Sequence, residues 1–345
     1  MNISPQEAGS KRHLHLWAPE LSLLVLLVLL SYLVIAVFSN ISDSGEFHGG
    51  LIILGMFGSF VFSVLIAIVA VLGGVGGGVI FTPIILGFTS VDTLIVRATG
   101  VVVAMFSGLI SARPLLRRGL VDIKLVFFGA VPIILGSLAG AYSAVHLSRQ
   151  FGETGDAFVR LTLGLLILGI AGLFIISGKR SEYPVNESEG PIAKGLGLSG
   201  SYWDDSLNRQ VDYKIRRGRY GLLLLVLVGF VGGFFGLGGG WSVVPIFNLL
   251  MYVPLKLSAG CSGLLLALGN AAAIWPYIAA GALIPLFVAP WVLGQVIGGI
   301  IGAYILSAVR SGFVRILLIA LLLLTGVKLM IRGLEGVFIF QIPFI

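Results

Sequence analysis

Nine apolar stretches, each long enough to cross a hydrocarbon core of about 30 Å, run along this chain at about 17 to 38, 51 to 88, 93 to 112, 125 to 145, 158 to 177, 221 to 250, 257 to 280, 284 to 306 and 313 to 331. With hydrophobic residues at 57% and charged residues at only 11% of 345, an ordinary soluble domain is excluded. A bilayer core offers no water to backbone amides, so segments that cross it close their hydrogen bonds internally as helices. The expected fold class is therefore an all-α polytopic membrane protein. The first stretch, from Leu21 to Phe38, is long for a signal-peptide core and no small-x-small cleavage site follows, so it reads as a retained anchor.

A second pattern divides the chain. The run Gly73-Gly74-Val75-Gly76-Gly77-Gly78, with Pro83 after it, returns 162 residues later as Phe235-Gly236-Leu237-Gly238-Gly239-Gly240 with Pro245. The same shift pairs Pro114 with Pro276, Gly119 with Gly281, Gly136 with Gly298 and Gly140-Ala141-Tyr142 with Gly302-Ala303-Tyr304; later, at a shift of 155, Phe158-Val159-Arg160 meets Phe313-Val314-Arg315. This predicts two four-span repeats with glycine-broken helices, plus an extra N-terminal span. The expected divisions are 1–45 for the N-terminal extension and first helix, 46–178 for the first repeat, 179–219 for a linker, and 220–345 for the second repeat and tail. If every segment crosses once, both copies enter from the same side; an inverted repeat would need one segment per half to re-enter without crossing. The connector carries Pro184 and Pro191 and some strand-like alternation around 202–205 and 211–214. It reads as a mostly irregular linker outside the transport step, with a small ordered cap as the alternative.

Net charge +7 does not point to nucleic acid, because 14 of the 22 Lys and Arg fall at 113–124, 178–220 and 328–332, the loop bias that marks the cytoplasmic side. Placing all three clusters there predicts a multi-pass plasma-membrane protein with a cytoplasmic C-terminus. Counting back then puts the N-terminus outside, against Lys11 and Arg12 ahead of the first stretch and the acidic Asp43 to Glu46 behind it. A single cysteine, Cys261, excludes an internal disulfide and a cysteine metal site. The histidines His13, His15, His48 and His146 lie at segment ends or in polar segments, and no dinucleotide fingerprint follows a strand. No metal, cofactor or enzymatic chemistry is expected.

Glycines at membrane depth free backbone groups that must be buried in protein or face a watery cavity. The segments 222–235 and 241–252 are each too short to span alone and together read as one broken span. The amides opening the following half-helix would attract an anion, which makes Gly76, Gly77, Gly78, Gly238, Gly239 and Gly240 candidate substrate-binding residues. Close helix packing is the alternative use of such glycines. The simplest reason to keep the same break twice is a shared site, so the two turns are expected to face each other. Arg97 is the one fully charged residue inside a span; it either attracts an anion, or snorkels outward or pairs with Asp92. Among the neutral polar residues in the spans, Thr99, Cys261, Ser262, Asn270 and Gln295 join the candidate set. Helix-to-helix hydrogen bonding is the alternative for Asn270 and Gln295, and small-residue packing for Cys261.

These residues together resemble the sulfite exporter TauE/SafE family. The matching positions are Gly74-Val75-Gly76-Gly77-Gly78 with Pro83, Arg117-Arg118-Gly119-Leu120-Val121-Asp122-Ile123-Lys124, Gly236-Leu237-Gly238-Gly239-Gly240 with Pro245, and Ala259-Gly260-Cys261-Ser262. The resemblance covers about 58 to 333 and implies a transporter that exports small sulfur-containing oxyanions, sulfite or an organosulfonate. Ala98-Thr99-Gly100 in place of a Gly-Thr-Ser form, the extra first span and the long central loop depart from the family pattern. A passive small-anion channel and a membrane-embedded sensor or scaffold built on the 178–220 loop stay open as alternatives, as does a homo-oligomer.

Overall fold

The computed structural model describes residues 49–338 apart from 74–75, 118, 177–183, 185–187, 205–207 and 306–310; the anchor stretch at 17–38, Lys11, Arg12 and the Asp43 to Glu46 segment lie outside the described residues. The order is α1 (Gly49–Gly73), α2 (Gly77–Phe88), α3 (Thr93–Arg117), α4 (Ile123–Ile176), α5 (Pro191–Leu196), β1 (Gly200–Asp204), β2 (Arg209–Tyr213), α6 (Gly218–Phe235), α7 (Gly240–Pro245), a π turn (Ile246–Leu250), α8 (Leu255–Ala279), α9 (Pro285–Ile305) and α10 (Ser311–Phe338). Among the described residues six helices are long and apolar enough to cross a membrane. One of these is α4, where Gly152 leaves helical geometry at φ 48°, ψ −126° and splits 54 residues into two arms. The chain is a multi-pass membrane protein, and the regular structure of its described residues is helical apart from one two-stranded sheet.

Aspartates start the helices after the tight loops. The Oδ1 of Asp92 accepts from the amides of Leu94 (2.8 Å) and Ile95 (3.2 Å), and that of Asp122 from Lys124 (2.8 Å) and Leu125 (3.2 Å). Each satisfies amides that a helix start leaves open. Glycines then let helices meet backbone to backbone. A Cβ at Gly229 would stand 2.5 Å from Ile133 O, and those at Gly294 and Gly302 would stand 2.7 Å from Phe60 O and 3.1 Å from the Ile68 Cα. The first arm of α4 runs parallel to α6 in this way, and α1 runs parallel to α9. By contrast α3 and α8 are antiparallel, Gly108 meeting Gly263 and Ala267 while Gly260 meets Leu120. The second arm of α4 and α10 are antiparallel too, Gly164 lying against Met330 and Gly336 against Ala157.

The glycine breaks do not extend their helices across the bundle, as a single broken span would. They reverse the chain. A Cβ at Gly221, near the start of α6, would lie on the Met251 side chain that follows the π turn, and the Arg216 amide donates to Met251 O at 3.2 Å. Residues Gly58, Ser59 and Phe62 of α1 likewise share a groove with Ile84, Ile85, Phe88 and Thr89 at the end of α2. The physical reason lies in the turn: Gly236 and Gly238 both hold φ 69°, a left-handed conformation open to glycine. At 18 residues α6 is about 27 Å long and needs no continuation to reach across.

The connector is ordered over 188–204 and 208–217 into a cap, rather than being mostly irregular. β1 and β2 pair antiparallel with Tyr202 opposite Val211. Tyr202, Tyr213, Ile215, Ala193 and Leu198 join a buried cluster with Leu257, Cys261 and Leu265 of α8. The fully buried Asp204 pairs with Lys256 at 2.8 Å, Lys124 Nζ donates to Gly197 O at 3.2 Å, and the Tyr213 hydroxyl donates to Asp122. Burial, then the neighbouring carboxylate, push the Tyr213 phenol well above its ordinary pKa, which keeps it a neutral donor. Lys256→Met is expected to lower Tm, since removing one partner strands a buried carboxylate. With Lys256 30% exposed, the expected loss is about 1–3 kcal/mol. Thermal unfolding of Lys256→Met and of Lys256→Met/Asp204→Asn checks it: the double variant should recover part of the loss, and equal Tm values would remove the pair from the stability of the cap.

The three basic clusters do not share one end. The described basic residues of the first two clusters, Arg113, Arg117 and Lys124 and those from Lys194 to Arg219, lie at the cap end, but Arg332 Nη1 donates to Thr89 O at 2.6 Å, beside the start of α3 at the far end. As α10 runs antiparallel to the second arm of α4, its C-terminal end lies opposite the cap.

Candidate site at the crossing of the two glycine turns

The two turns touch halfway along α3. A Cβ at Gly78 would stand 2.6 Å from Leu237 O and 2.8 Å from the Ala104 Cβ, and one at Gly238 would stand 2.9 Å from the same Ala104. Leu266 of α8 closes on both turns, at 3.4 Å from the Gly76 position and 2.6 Å from that of Gly238. Such approaches leave room for glycine alone.

Polar groups converge there. The Gly77 amide donates to Ser107 Oγ at 3.0 Å, and a Cβ at Gly77 would fall on the Gln295 amide. Gln295 is buried and its Nε2 has no hydrogen-bond partner. Asn270 Nδ2 lies 3.1 Å from the Gly238 position and donates to Leu266 O at 2.8 Å. Gly76, Gly77, Gly78, Gly238, Asn270 and Gln295 are thus brought together. Gly239 faces Val228 Cγ1 at 2.8 Å, and Gly240 begins α7 beside it.

Thr99, Ser262 and Cys261 are placed elsewhere. The hydroxyls of Thr99 and Ser262 donate along their own helices to Ile95 O and Ala259 O, each at 2.8 Å. Cys261 lies at the cap end, its sulfur accepting from the Asp122 amide at 3.4 Å.

Arg97 lies under the second turn, its backbone carbonyl occupying the space a Cβ at Gly236 would take. It is fully buried, so it does not snorkel, and Asp92 spends its oxygen on the helix start. Its Nε donates to Thr93 O at 3.2 Å, its guanidinium lies 5.7 Å from the Phe234 ring centre, and Nη1 and Nη2 have no partner. Sequence reasoning left three contributors out of the site. Ser107 caps Gly77, Thr82 Oγ1 donates to Gly236 O at 2.8 Å, and the Tyr277 hydroxyl donates to Gly233 O at 2.8 Å. Ser107 and Thr82 are hydroxyls within apolar stretches, and nothing in composition separates them from back-bonded ones such as Thr99.

Known proteins give a consistent picture. A curated relative from Bacillus subtilis (strain 168), named "Probable membrane transporter protein YunE", is 27% identical over 291 residues, covering 80% of this chain and 98% of its own length. No solved structure gives a significant match. The family model described as "Sulfite exporter TauE/SafE" matches residues 59–329, most of the length over which the glycine turns, their prolines and the flanking helices are laid out, and the chain belongs to that family.

Proposed function

We propose that this transporter carries a small sulfur-containing oxyanion, sulfite or an organosulfonate, outward across the cell membrane through the crossing of the two glycine turns. The observation that carries this reading is the sign of what is left unpaired. Among the buried side-chain atoms of the described residues, N–H donors on Arg97, Arg160, Trp241, Trp291 and Gln295 have no partner. Unpaired donors in a low-dielectric interior favour a hydrogen-bond-accepting anion.

The two halves are read as an inverted repeat. α3 and α8 start at Thr93 and Leu255, 162 residues apart, as do Gly119 at φ 67° and Gly281 at φ 70°. Helices equivalent under that shift are antiparallel, which fits a two-fold axis in the membrane plane. Each half then has a re-entering hairpin and three crossings, an odd number. Of the described basic residues, the cap end holds three at 113–124 and six at 188–220 against two at 328–332, which favours a cytoplasmic cap and a C-terminus outside. With 17–38 read from sequence as a crossing, this orientation also leaves Lys11 and Arg12 inside and the acidic Asp43 to Glu46 segment outside.

Efflux of radiolabelled sulfite from proteoliposomes tests the substrate, with thiosulfate, sulfate and sulfoacetate as competitors. Saturable efflux inhibited by at least one sulfur anion is expected. Flux that never saturates would make the protein a channel, and no flux of any of the four would end the sulfur-anion reading. Thermal stabilisation gives a second measure, since a ligand at 100 times its Kd adds about 2.7 kcal/mol.

A further inference from the structure

We propose that Arg97 and Arg160 form a second oxyanion site on the side of the glycine crossing opposite the cap, in which one divalent oxyanion bridges the two guanidinium groups. The inference rests on the transport reading only for the class of anion.

The geometry begins with Thr93, whose hydroxyl donates to Asp156. That bond sets α3 and the second arm of α4 in register where both leave the far end of the bundle. Each helix runs inward from there, and Val96 and Val159 belong to one buried cluster. One turn further along each helix, about 6 Å deeper, stand Arg97 and Arg160. The two cations therefore stand at one level of the bundle on helices joined by that bond, and both interact with the same two carboxylates, Asp92 and Asp156. Arg97 is fully buried with Nη1 and Nη2 unpartnered, and the buried Nε of Arg160 is unpartnered as well. Arg332 adds positive charge from α10, close enough to interact with Arg160.

Carboxylates are present but sit one level out. Asp92 and Asp156 interact with both arginines at a distance, yet Asp92 caps α3 and Asp156 accepts from Thr93. Neither satisfies the three free donors. Two cations buried at one level are held there at a cost, and an anion with oxygens in several directions offsets that cost and accepts from all three unpartnered nitrogens. Arginine suits this role because its planar fork meets oxyanions with two parallel bonds. Phe234 covers one face of the Arg97 guanidinium, which leaves its edge for the ligand.

Equilibrium binding of radiolabelled sulfate to the purified full-length protein, at constant ionic strength, tests the site. Wild type is expected to bind with a component that Arg160→Gln weakens at least several-fold and Arg160→Lys partly restores. Asp156→Asn should tighten the same component, since it removes a competing negative charge; a loss of affinity there would overturn the proposal. Unchanged sulfate binding in Arg160→Gln would overturn it as well, as would competition by chloride equal to that by sulfite. The two readings fail separately. A variant set that leaves sulfate binding untouched while sulfite is still exported sinks only this site. Arginine-dependent sulfate binding in a protein that moves no sulfur anion sinks only the transport reading.

Discussion

Gly78→Ala is expected to abolish transport in protein that still folds, while Gly77→Ala keeps a measurable flux. The difference lies in what a single methyl group would meet. At Gly78 it would stand 2.6 Å from the Leu237 carbonyl oxygen, a backbone atom of the opposite turn that moves only if the two turns part. At Gly77 it would fall on the Gln295 side chain, which can rotate away. Overpacking of a rigid contact costs about 1–3 kcal/mol, and here that cost is spent on separating the two surfaces proposed to hold the anion. The expected loss is beyond about 100-fold in flux at Gly78 and within about tenfold at Gly77, where 1.4 kcal/mol corresponds to a factor of ten. Both variants are compared as efflux from proteoliposomes, matched for protein that elutes as a single folded species. Equal losses would mean that the closeness of the turns has no special part in transport.

Arg97→Met is expected to act in opposite directions on stability and on function. A fully buried guanidinium with two unpartnered nitrogens is a cost to the empty fold, and replacing buried charges with apolar groups of similar volume often stabilises by about 1–4 kcal/mol. The melting temperature should therefore rise. Transport should fall, because a divalent anion about 6 Å from one positive charge at an effective dielectric near 20 gains on the order of 5 kcal/mol before desolvation. Arg97→Lys, which retains the charge, should keep partial activity, and Arg97→Gln should raise the half-saturating anion concentration at least several-fold. A lower Tm in Arg97→Met would identify the residue as a structural brace, and unchanged half-saturation in Arg97→Gln would remove it from the anion path.

Much of this arrangement was legible in the residues. The glycine runs, with prolines at matching offsets, marked both breaks, and the expectation that the turns face each other agrees with the contact of Gly78 with Leu237. The direction of the chain after each break was not legible. A stretch such as 221–250 has one composition whether it continues or doubles back, and the outcome depends on positive φ at Gly236 and Gly238, which sequence permits but does not require. The misplacement of the third basic cluster followed from that, because each hairpin changes the parity of the crossings after it. The cap was half visible: Tyr202 and Asp204 alternate inward in β1, yet its hold on the bundle depends on Asp122 and Lys256, 52 or more residues away in sequence. Arg97 stood out as a lone charge in a span. Arg160 did not, because it lies close to a helix start and only the Thr93 to Asp156 bond reveals that it stands at the level of Arg97.

The cap has a consequence for which side the transporter rests open to. If the two halves are related by a two-fold axis in the membrane plane, as proposed, they can exchange conformations, and the inward-open and outward-open forms are then related by that rotation and similar in energy. A cap bonded to one end by the Asp204 to Lys256 pair and the Tyr213 to Asp122 contact removes that equality. If those contacts break when the cap end opens, each 1.4 kcal/mol they supply shifts the resting population about tenfold toward the form closed at that end. The segment between the halves would then act as a weight on a balance that is otherwise level, and shortening or loosening it would change how long the carrier waits on each side without altering what it binds.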